Sequence, residues 1–338
     1  MRAPRILSDP TGRRCLGALE GLIADLVVGD PPDRLHPVAI FGNLMRRIEP
    51  PPTRRSTLRG VGHALTGIAG ALAVGSLASV ALGERLSTMM ATTVAIAAKG
   101  LWSAAARVRD ALFEHDLERA RCLLPALCGR DPEHLDVTGV ATAAVESVAE
   151  NTVDAIVAPL FWASVAGAAG VLTHRAVNTL DAQVGHMTEA YRRFGWASAR
   201  ADDLLAFVPA RITAALVAAC RPSRTPAVWR TVTRDASRHA SPNAGVSEAA
   251  FAGALGLTLG GPVTYDGRLV HRPHLGEGPR PVPEDITRAI RLSRDVTIAA
   301  GIVVLLFAAA SSDRQTTQRP GRSSNSDVLL PSRGEDLS

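Results

Sequence analysis

A chain of 338 residues that is 46 % hydrophobic, 4 % aromatic and 20 % charged holds ample apolar material, but the apolar residues are bunched into blocks with the charges between them, which excludes an ordinary soluble protein. The net charge of +5 rests on arginine, Lys99 being the one lysine, so no G-x-x-x-x-G-K-[ST] phosphate loop can exist. Scattered arginines and scarce aromatics offer no stacking platform, which excludes nucleic acid as a partner. Cys15, Cys122, Cys128 and Cys220 lack the spacing of a zinc site or a disulfide framework. The pattern predicts an all-α, polytopic helical membrane protein with cytoplasmic amphipathic helices and loops.

Residues 1–15 form a basic N-terminal segment with Arg2, Arg5, Arg13 and Arg14. No clean apolar core with a cleavage site follows, so it reads as retained. Residues 16–310 read as a single integral membrane catalytic domain with apolar blocks at 16–28, 61–82, 86–101, 155–172, 204–220 and 296–310. Val61 to Leu82 has no formal charge, and about 20 apolar residues suffice to cross the hydrocarbon core. Gly67, Ala71, Gly75 and Ser79 recur there every four residues, a stripe that lets membrane helices pack closely. Leu86 to Leu101 reads as a second span forming a hairpin with the first, with Lys99 snorkelling to the interface. The other blocks are short for a straight crossing, and Glu20 and Asp25 interrupt the first, so re-entrant or buried helices fit them. Arginines crowd 34–59 and 107–130 on both flanks of the expected hairpin. The positive-inside rule puts those flanks in the cytoplasm, giving a multi-pass protein of the inner (cytoplasmic) membrane with a cytoplasm-facing active site. The polar tail, 311–338, reads as disordered.

Between the blocks lie the groups that carry chemistry. ESVAENTVDAIVAPLFW (Glu146 to Trp162) runs two glutamates, an asparagine and an aspartate into an apolar stretch. As a helix it sets Glu146, Glu150 and Asp154 four apart with Asn151 beside them, a repulsive face unless a cation or arginines sit opposite. An isolated acidic run is more often a solvated face, but here the phrase N-T-x-D-A returns in VNTLDAQVGH (Val177 to His186). In that copy Arg175, Asn178 and Asp181 share a helical face, suited to a phosphate, a magnesium ion or a polar substrate arm, with a plain Arg175–Asp181 ion pair as the alternative. FGWASARADDLLAFVPARI (Phe194 to Ile212) adds Arg200, and Arg211 inside an apolar block, where a charge faces a cavity or a partner. Its adjacent Asp202 and Asp203 read as helix-start charges. Ala24 to Val38 gathers Asp25, Asp30, Asp33 and His36 in a stiff turn, with Asp30 and His36 as second-choice site residues. Ser237 to Gly256 contributes His239, Asn243 and Glu248, with Ser247 read as a helix cap. His63 reads as hydrogen-bonded within the bundle.

Together these phrases resemble the CobD/CbiB family of cobalamin biosynthesis, the adenosylcobinamide-phosphate synthases. DLVVGDPPDRLHPV, VESVAENTVDAIVAPLFW, HRAVNTLDAQVGH, FGWASARADDLLAFVPARI, SPNAGVSEAAFAGALG and GGPVTYDG keep the family's order from about Leu16 to Ala300. The resemblance implies a membrane ligase that amidates a propionate of adenosylcobyric acid with aminopropanol, or its phosphate, giving adenosylcobinamide (phosphate). It implies Mg2+ as cofactor, ATP as cosubstrate, and the corrinoid, aminopropanol phosphate and the lipid bilayer as partners, and it leaves open a homo-oligomer or association with other enzymes of the pathway. On this reading Glu150, Asp154 and Asp181 are catalytic and bind magnesium, any one able to serve instead as base for the amine. Arg175, Arg200 and Arg211 hold phosphate or propionate, Asn151, Asn178 and Asn243 orient polar substrate groups, and Glu248 joins the substrate-binding set. Two departures stand out: Met187 where a basic residue is more usual, and Val246–Ser247 where Trp-Pro is common.

Two other readings fit single features: a membrane prenyl- or phosphoalcohol transferase with a Mg-diphosphate site, and a repeat-based transporter. The first needs aspartate-rich motifs, whereas each repeat here has one aspartate, and the polar segment 221–295 speaks against the second. A straight crossing by Ala155 to Leu172 would open Asp154 and Asp181 on opposite faces. Pro159 and the short block favour a kinked or re-entrant segment. The two N-T-x-D-A segments are therefore expected to meet, with carboxylates within ~15 Å, because each bond to a shared ion spans only ~2.0–2.6 Å.

Overall fold

The computed structural model describes residues 9–29, 34, 36–185, 191–265 and 268–317, which form twelve α-helices and one β-hairpin. The first helix, α1 (Pro10–Val28), starts where Asp9 accepts a hydrogen bond from the Gly12 amide at 3.0 Å, with proline at a position that needs no donor. In α2 (Pro37–Arg47) the same office falls to His36, whose Nδ1 accepts from Val38 N at 3.2 Å. Capping thus accounts for His36, while Asp30, Asp33 and Met187 lie outside the described residues.

The long helix α3 (Thr57–Leu82) turns Leu65, Leu72, Leu77 and Val80 outward, the last 86 % exposed. Large apolar side chains pointing out along a whole helix belong in lipid. Its opposite face carries the small-residue stripe: Gly67, Ala71 and Gly75 are buried, and a Cβ on Gly75 would sit 2.4 Å from Ala169 Cα. That stripe is what lets α3 lie against α8 (Ala158–Val184). His63 bonds within the bundle as expected, its Nε2 3.1 Å from the Met45 carbonyl. Four helical stretches are long and apolar enough to cross a membrane, Thr57–Leu82, Val137–Val184, Trp196–Cys220 and Pro283–Ser311, and the protein is a polytopic helical membrane protein.

Two expectations are corrected. The block Leu86 to Leu101 is not one span: α4 (Glu84–Ala95) stops, Ile96 and Ala97 leave the helical region, and α5 (Ala98–Phe113) begins afresh. Helix α4 pairs chiefly with α1, where a Cβ on Gly17 would meet the Arg85 carbonyl at 2.4 Å. Lys99 does reach a polar edge, donating from Nζ to the Val27 carbonyl at 2.7 Å. The tail does not begin at Ser311 as an irregular segment, because α12 (Pro283–Thr317) remains helical there; residues 318–338 lie outside the described residues.

Past the short α6 (Leu117–Leu123), helix α7 (Val137–Thr152) begins where Asp136 accepts from Gly139 N at 2.7 Å. It passes through a π turn (Val153–Val157) into α8. Pro159 supplies no N–H to the Ala155 carbonyl one turn earlier, and a buried carbonyl needs a donor. Ala97, its own amide released by the α4–α5 break, donates to it at 3.1 Å. Helix α9 (Trp196–Cys220) repeats the device: Pro209 leaves the Leu205 carbonyl without its helical donor, and Trp162 Nε1 supplies one at 3.0 Å.

Gly167 decides the topology. Its backbone, at φ 62° and ψ −149°, is not helical. A straight helix would separate residues 24 apart by about 36 Å, yet Asn178 Nδ2 donates to Asp154 Oδ2 at 3.3 Å. The chain therefore doubles back at Gly167, and the legs are tight enough that a Cβ on Gly170 would meet the Trp162 carbonyl at 2.7 Å. Arg14 donates to the Val165 carbonyl at the end of the first leg (3.2 Å) and pairs with Glu84 at 2.7 Å. Both N-T-x-D-A segments thus open at the same end of the bundle, as the kinked alternative requires. Beyond α9 come α10 (Thr225–Asp235), the fully buried α11 (Ala244–Leu255) and the antiparallel strands β1 (Leu259–Tyr265) and β2 (Arg268–Leu275). Asn243, not Ser247, stands at the start of α11.

Gly167→Ala is expected to cost about 1–3 kcal/mol, because this backbone region is nearly closed to residues with a Cβ and the new atom would lie 2.9 Å from Glu84 Oε2. Gly62→Ala, with nothing within 4 Å of the added Cβ, should be neutral or mildly stabilising. Thermal unfolding in detergent tests the pair, and equal midpoints would refute the turn's role.

Candidate active site

The reversal at Gly167 and the start of α9 bring the polar phrases to one cavity of about 430 Å³. Asp154 comes from the π turn, a local irregularity of the kind often found at functional positions. Asn178 comes from the returning leg and Asp202 from the first turns of α9. The Asn178 amide bridges them: Nδ2 donates to Asp154 Oδ2 at 3.3 Å and to Asp202 Oδ1 at 3.4 Å, while Oδ1 accepts from Arg175 Nη1 at 3.3 Å. One neutral amide thus holds two carboxylates, with a guanidinium orienting the amide from behind.

Five carboxylates line the cavity, Glu150, Asp154, Asp181, Asp202 and Asp203, against two guanidinium groups, Arg192 and Arg200. Five acidic side chains to two basic ones suit a cationic guest, an ammonium group or a metal ion. Arg200 leans on Asp203 at 3.4 Å. Asn243 closes one wall, its Nδ2 donating to the Asp203 carbonyl at 2.8 Å and its Oδ1 accepting from Arg211 Nη1 at 2.7 Å. Arg211 itself lies over the Phe207 ring at 3.7 Å and also donates to the Pro242 carbonyl at 3.1 Å. Its charge shapes the turn before α11 and does not line the cavity.

Of the ten residues expected at the site, Glu150, Asp154, Asp181, Arg200 and Asn243 line the cavity, and Arg175 and Asn178 stand directly behind it. Asn151 turns back along its own helix, donating to the Ser147 carbonyl at 2.9 Å, and so leaves the expected substrate-orienting set. Among the described residues no three His, Cys, Asp or Glu side chains are arranged to hold a metal ion. The expected set of Glu150, Asp154 and Asp181 lines one cavity, and within it Asp154 is joined to a further carboxylate, Asp202, through Asn178. In the sequence Asp202 is discounted because adjacent aspartates at a helix start are ordinary, and only the fold shows it facing Asp181 and Asn178.

Glu248 belongs to a second cluster beside the cavity, built on a residue that sequence reasoning missed. Arg272 of β2 donates to Glu248 Oε1 at 2.7 Å, to Glu146 Oε2 at 2.9 Å and to His239 Nε2 at 2.5 Å. Arg130 also pairs with Glu146. Because arginine has no acceptor, His239 turns a lone pair on Nε2 toward Arg272, while its Nδ1 lies 3.1 Å from the Ser241 carbonyl and 3.0 Å from the Ser241 amide. Burial, with the Arg272 charge beside it, lowers the His239 pKa and keeps the ring neutral. Burial, reinforced by the Glu146 charge and opposed by Arg272, pushes Glu248 up to about 8. A β-hairpin contributes no periodic signal to mark Arg272 as buried, so only its position opposite Gly261 in the hairpin register reveals the role.

Removing the shared arginine with Arg272→Met should destabilise the protein by about 3–5 kcal/mol, since Glu248 would stay buried without its arginine and Glu146 would keep only Arg130. A folded state that holds a proton on Glu248 more tightly than the unfolded chain loses stability as pH rises from the ordinary glutamate range, near 4.5, to about 8. Melting midpoints in detergent should therefore fall across that interval, and Glu248→Gln should flatten the slope; an unchanged slope would refute the assignment.

Known proteins share this sequence over most of its length. A family model described as CobD/Cbib protein matches residues 18–293. A cobalamin biosynthesis protein CobD of Mycobacterium tuberculosis is 45 % identical over 304 residues, covering 87 % of this chain and 96 % of its own. Proteins of the same name from Chromobacterium violaceum and Rhodobacter capsulatus are 42 % and 40 % identical, over 80 % and 84 % of this chain and 89 % and 95 % of theirs. No solved structure matches. With the match running from α1 into α12, through every segment that builds the cavity, the chain belongs to the CobD/Cbib family.

Proposed function

We propose that this protein acts in cobalamin biosynthesis as an ATP-dependent, amide-forming ligase, joining the propionate of adenosylcobyric acid to aminopropanol or its phosphate. The supporting observation is the cavity itself: carboxylates from three helical segments converge there, with two arginines among them. Its volume, about 430 Å³, suits a small amine and the end of a propionate arm. The corrin ring is too large for this volume and stays outside the cavity, whose lining includes Tyr191 and Trp196.

A carboxylate resists attack by an amine, so one of its oxygens takes the terminal phosphoryl group of ATP and ADP leaves. The amine nitrogen then attacks the acyl carbon, the C–N bond forms, the C–O bond to phosphate breaks, and inorganic phosphate departs. The proton shed by nitrogen passes to a cavity carboxylate, for which Asp181 and Glu150 are placed. Arg200 and Arg192 hold phosphate oxygens, and Asn178 keeps the Asp154 and Asp202 side chains oriented. A carboxylate pair fits Mg2+ brought in with the nucleotide, since that ion takes one or two carboxylates plus substrate phosphates and water, and when bound it neutralises charge on the transferred phosphoryl group.

The cavity end of the bundle is also the arginine-rich end: Gly60, near the start of α3, lies against the Phe194 carbonyl, close to Arg54, Arg55, Arg192 and Arg193 in sequence. We therefore put this end on the cytoplasmic face of the inner membrane, where ATP is available. Either a homo-oligomer or an assembly with other enzymes of the pathway is compatible with that orientation.

The test is amidation by the purified, detergent-solubilised chain supplied with adenosylcobyric acid, aminopropanol phosphate and Mg-ATP. Wild type should form the amide. Asp154→Asn and Asp202→Asn should each lower kcat/KM by about 10²–10⁴-fold, while Glu118→Gln, on the exposed α6, should not. No product from a folded wild type given lipid would remove the ligase reading.

A further inference from the structure

A second concave site lies away from the carboxylate cavity and shares none of its lining residues. Arg221 and Arg224, just past α9, and Arg288 and Arg291, in the first turns of α12, surround a cleft of about 560 Å³ whose floor is the end of α11. Among the described residues no carboxylate lines it.

Three of the four arginines are held in place by the fold. Arg224 Nη2 donates to the Gly253 carbonyl at 3.2 Å and Arg288 Nη2 to the Leu255 carbonyl at 2.6 Å, so both take up carbonyls that the end of α11 leaves without donors. Arg288 is further tied to Asp285 at 2.5 Å, and Arg221 to Asp295 at 2.8 Å. Arg291 is exposed and makes no hydrogen bond or ion pair among the described residues. Four guanidinium groups against two carboxylates leave two positive charges uncompensated, oriented before any guest arrives.

The position of the cleft narrows the guest. Asp295 is one turn ahead of Ile298, 65 % exposed, which opens the outward apolar face of α12 that continues through Ile302 and Leu306. The cleft thus sits where the lipid-facing part of α12 begins, at the level of lipid headgroups. Basic pockets between membrane helices at that depth suit phosphate-bearing headgroups, each basic side chain near the surface adding about fivefold in affinity.

We propose that this four-arginine cleft binds the phosphate of an anionic phospholipid, as a site separate from the proposed catalysis. The full chain in detergent would be titrated with phosphatidylglycerol, phosphatidylcholine or inorganic pyrophosphate and read by native mass spectrometry. Phosphatidylglycerol should be retained more tightly than phosphatidylcholine, and Arg291→Gln and Arg221→Gln should each weaken that retention about fivefold, Arg291→Gln without moving the melting midpoint. Arg291, making no bond within the fold, keeps the test independent of folding. Equal retention of the two lipids, or variants that bind phosphatidylglycerol like wild type, would overturn the proposal. Pyrophosphate binding lost in the same variants, without a preference between the lipids, would also overturn the lipid and make a soluble phosphate the occupant.

Discussion

A chain cannot be straight through residues 153–184 and also let Asn178 touch Asp154, and most of the architecture answers to that contact. The reversal at Gly167 makes two apolar legs into one hairpin. The glycine stripe of α3 accepts the returning leg at close range. Arg14 and Glu84 then occupy the space around the turn, one bonding the Val165 carbonyl and both bonding each other. With the hairpin fixed, α9 needs only to lie across its open end to add Asp202 and finish the cavity.

The same economy shows in the prolines. Pro159 and Pro209 each remove a helical donor inside a packed, water-poor region, where an unsatisfied carbonyl is expensive. Each missing bond is replaced from another element, Ala97 in one case and Trp162 in the other. The replacement bonds tie the α4–α5 break to the π turn and α9 to the first leg of the hairpin. Two local defects have become the cross-links that set where Asp154 and Asp202 stand.

Much of this is legible in the sequence. The uncharged block of α3 and its small-residue stripe mark a span and its packing face, because both signals are periodic and local. The repeated N-T-x-D-A marks the site because a phrase copied at two apolar lips is hard to explain by solvation. What stays hidden depends on long-range geometry. Asp202 looks like any helix-start acid until Asn178 is beside it, and Arg272 looks like any strand arginine until Glu146 and Glu248 are seen around it. Asn151 misleads for the opposite reason, since its spacing is right but its amide finds the Ser147 carbonyl closer at hand. Leu86 to Leu101 has the composition of a span, and only the extended backbone at Ile96 shows the interruption.

The doubling of the chain at Gly167 also bears on how the protein is made. Were the stretch from Asp154 to Asp181 a single crossing, its synthesis would require Arg175 and Asp181 to traverse the hydrocarbon, at about 2.5–3.5 kcal/mol for each charged residue held at the helix centre. A hairpin enters from one side with its apolar legs and small-residue tip leading, and the polar residues at its base never leave the interface. Membrane insertion and assembly of the cavity are then one event, because the move that buries the legs is also the move that brings Asp154 to Asn178.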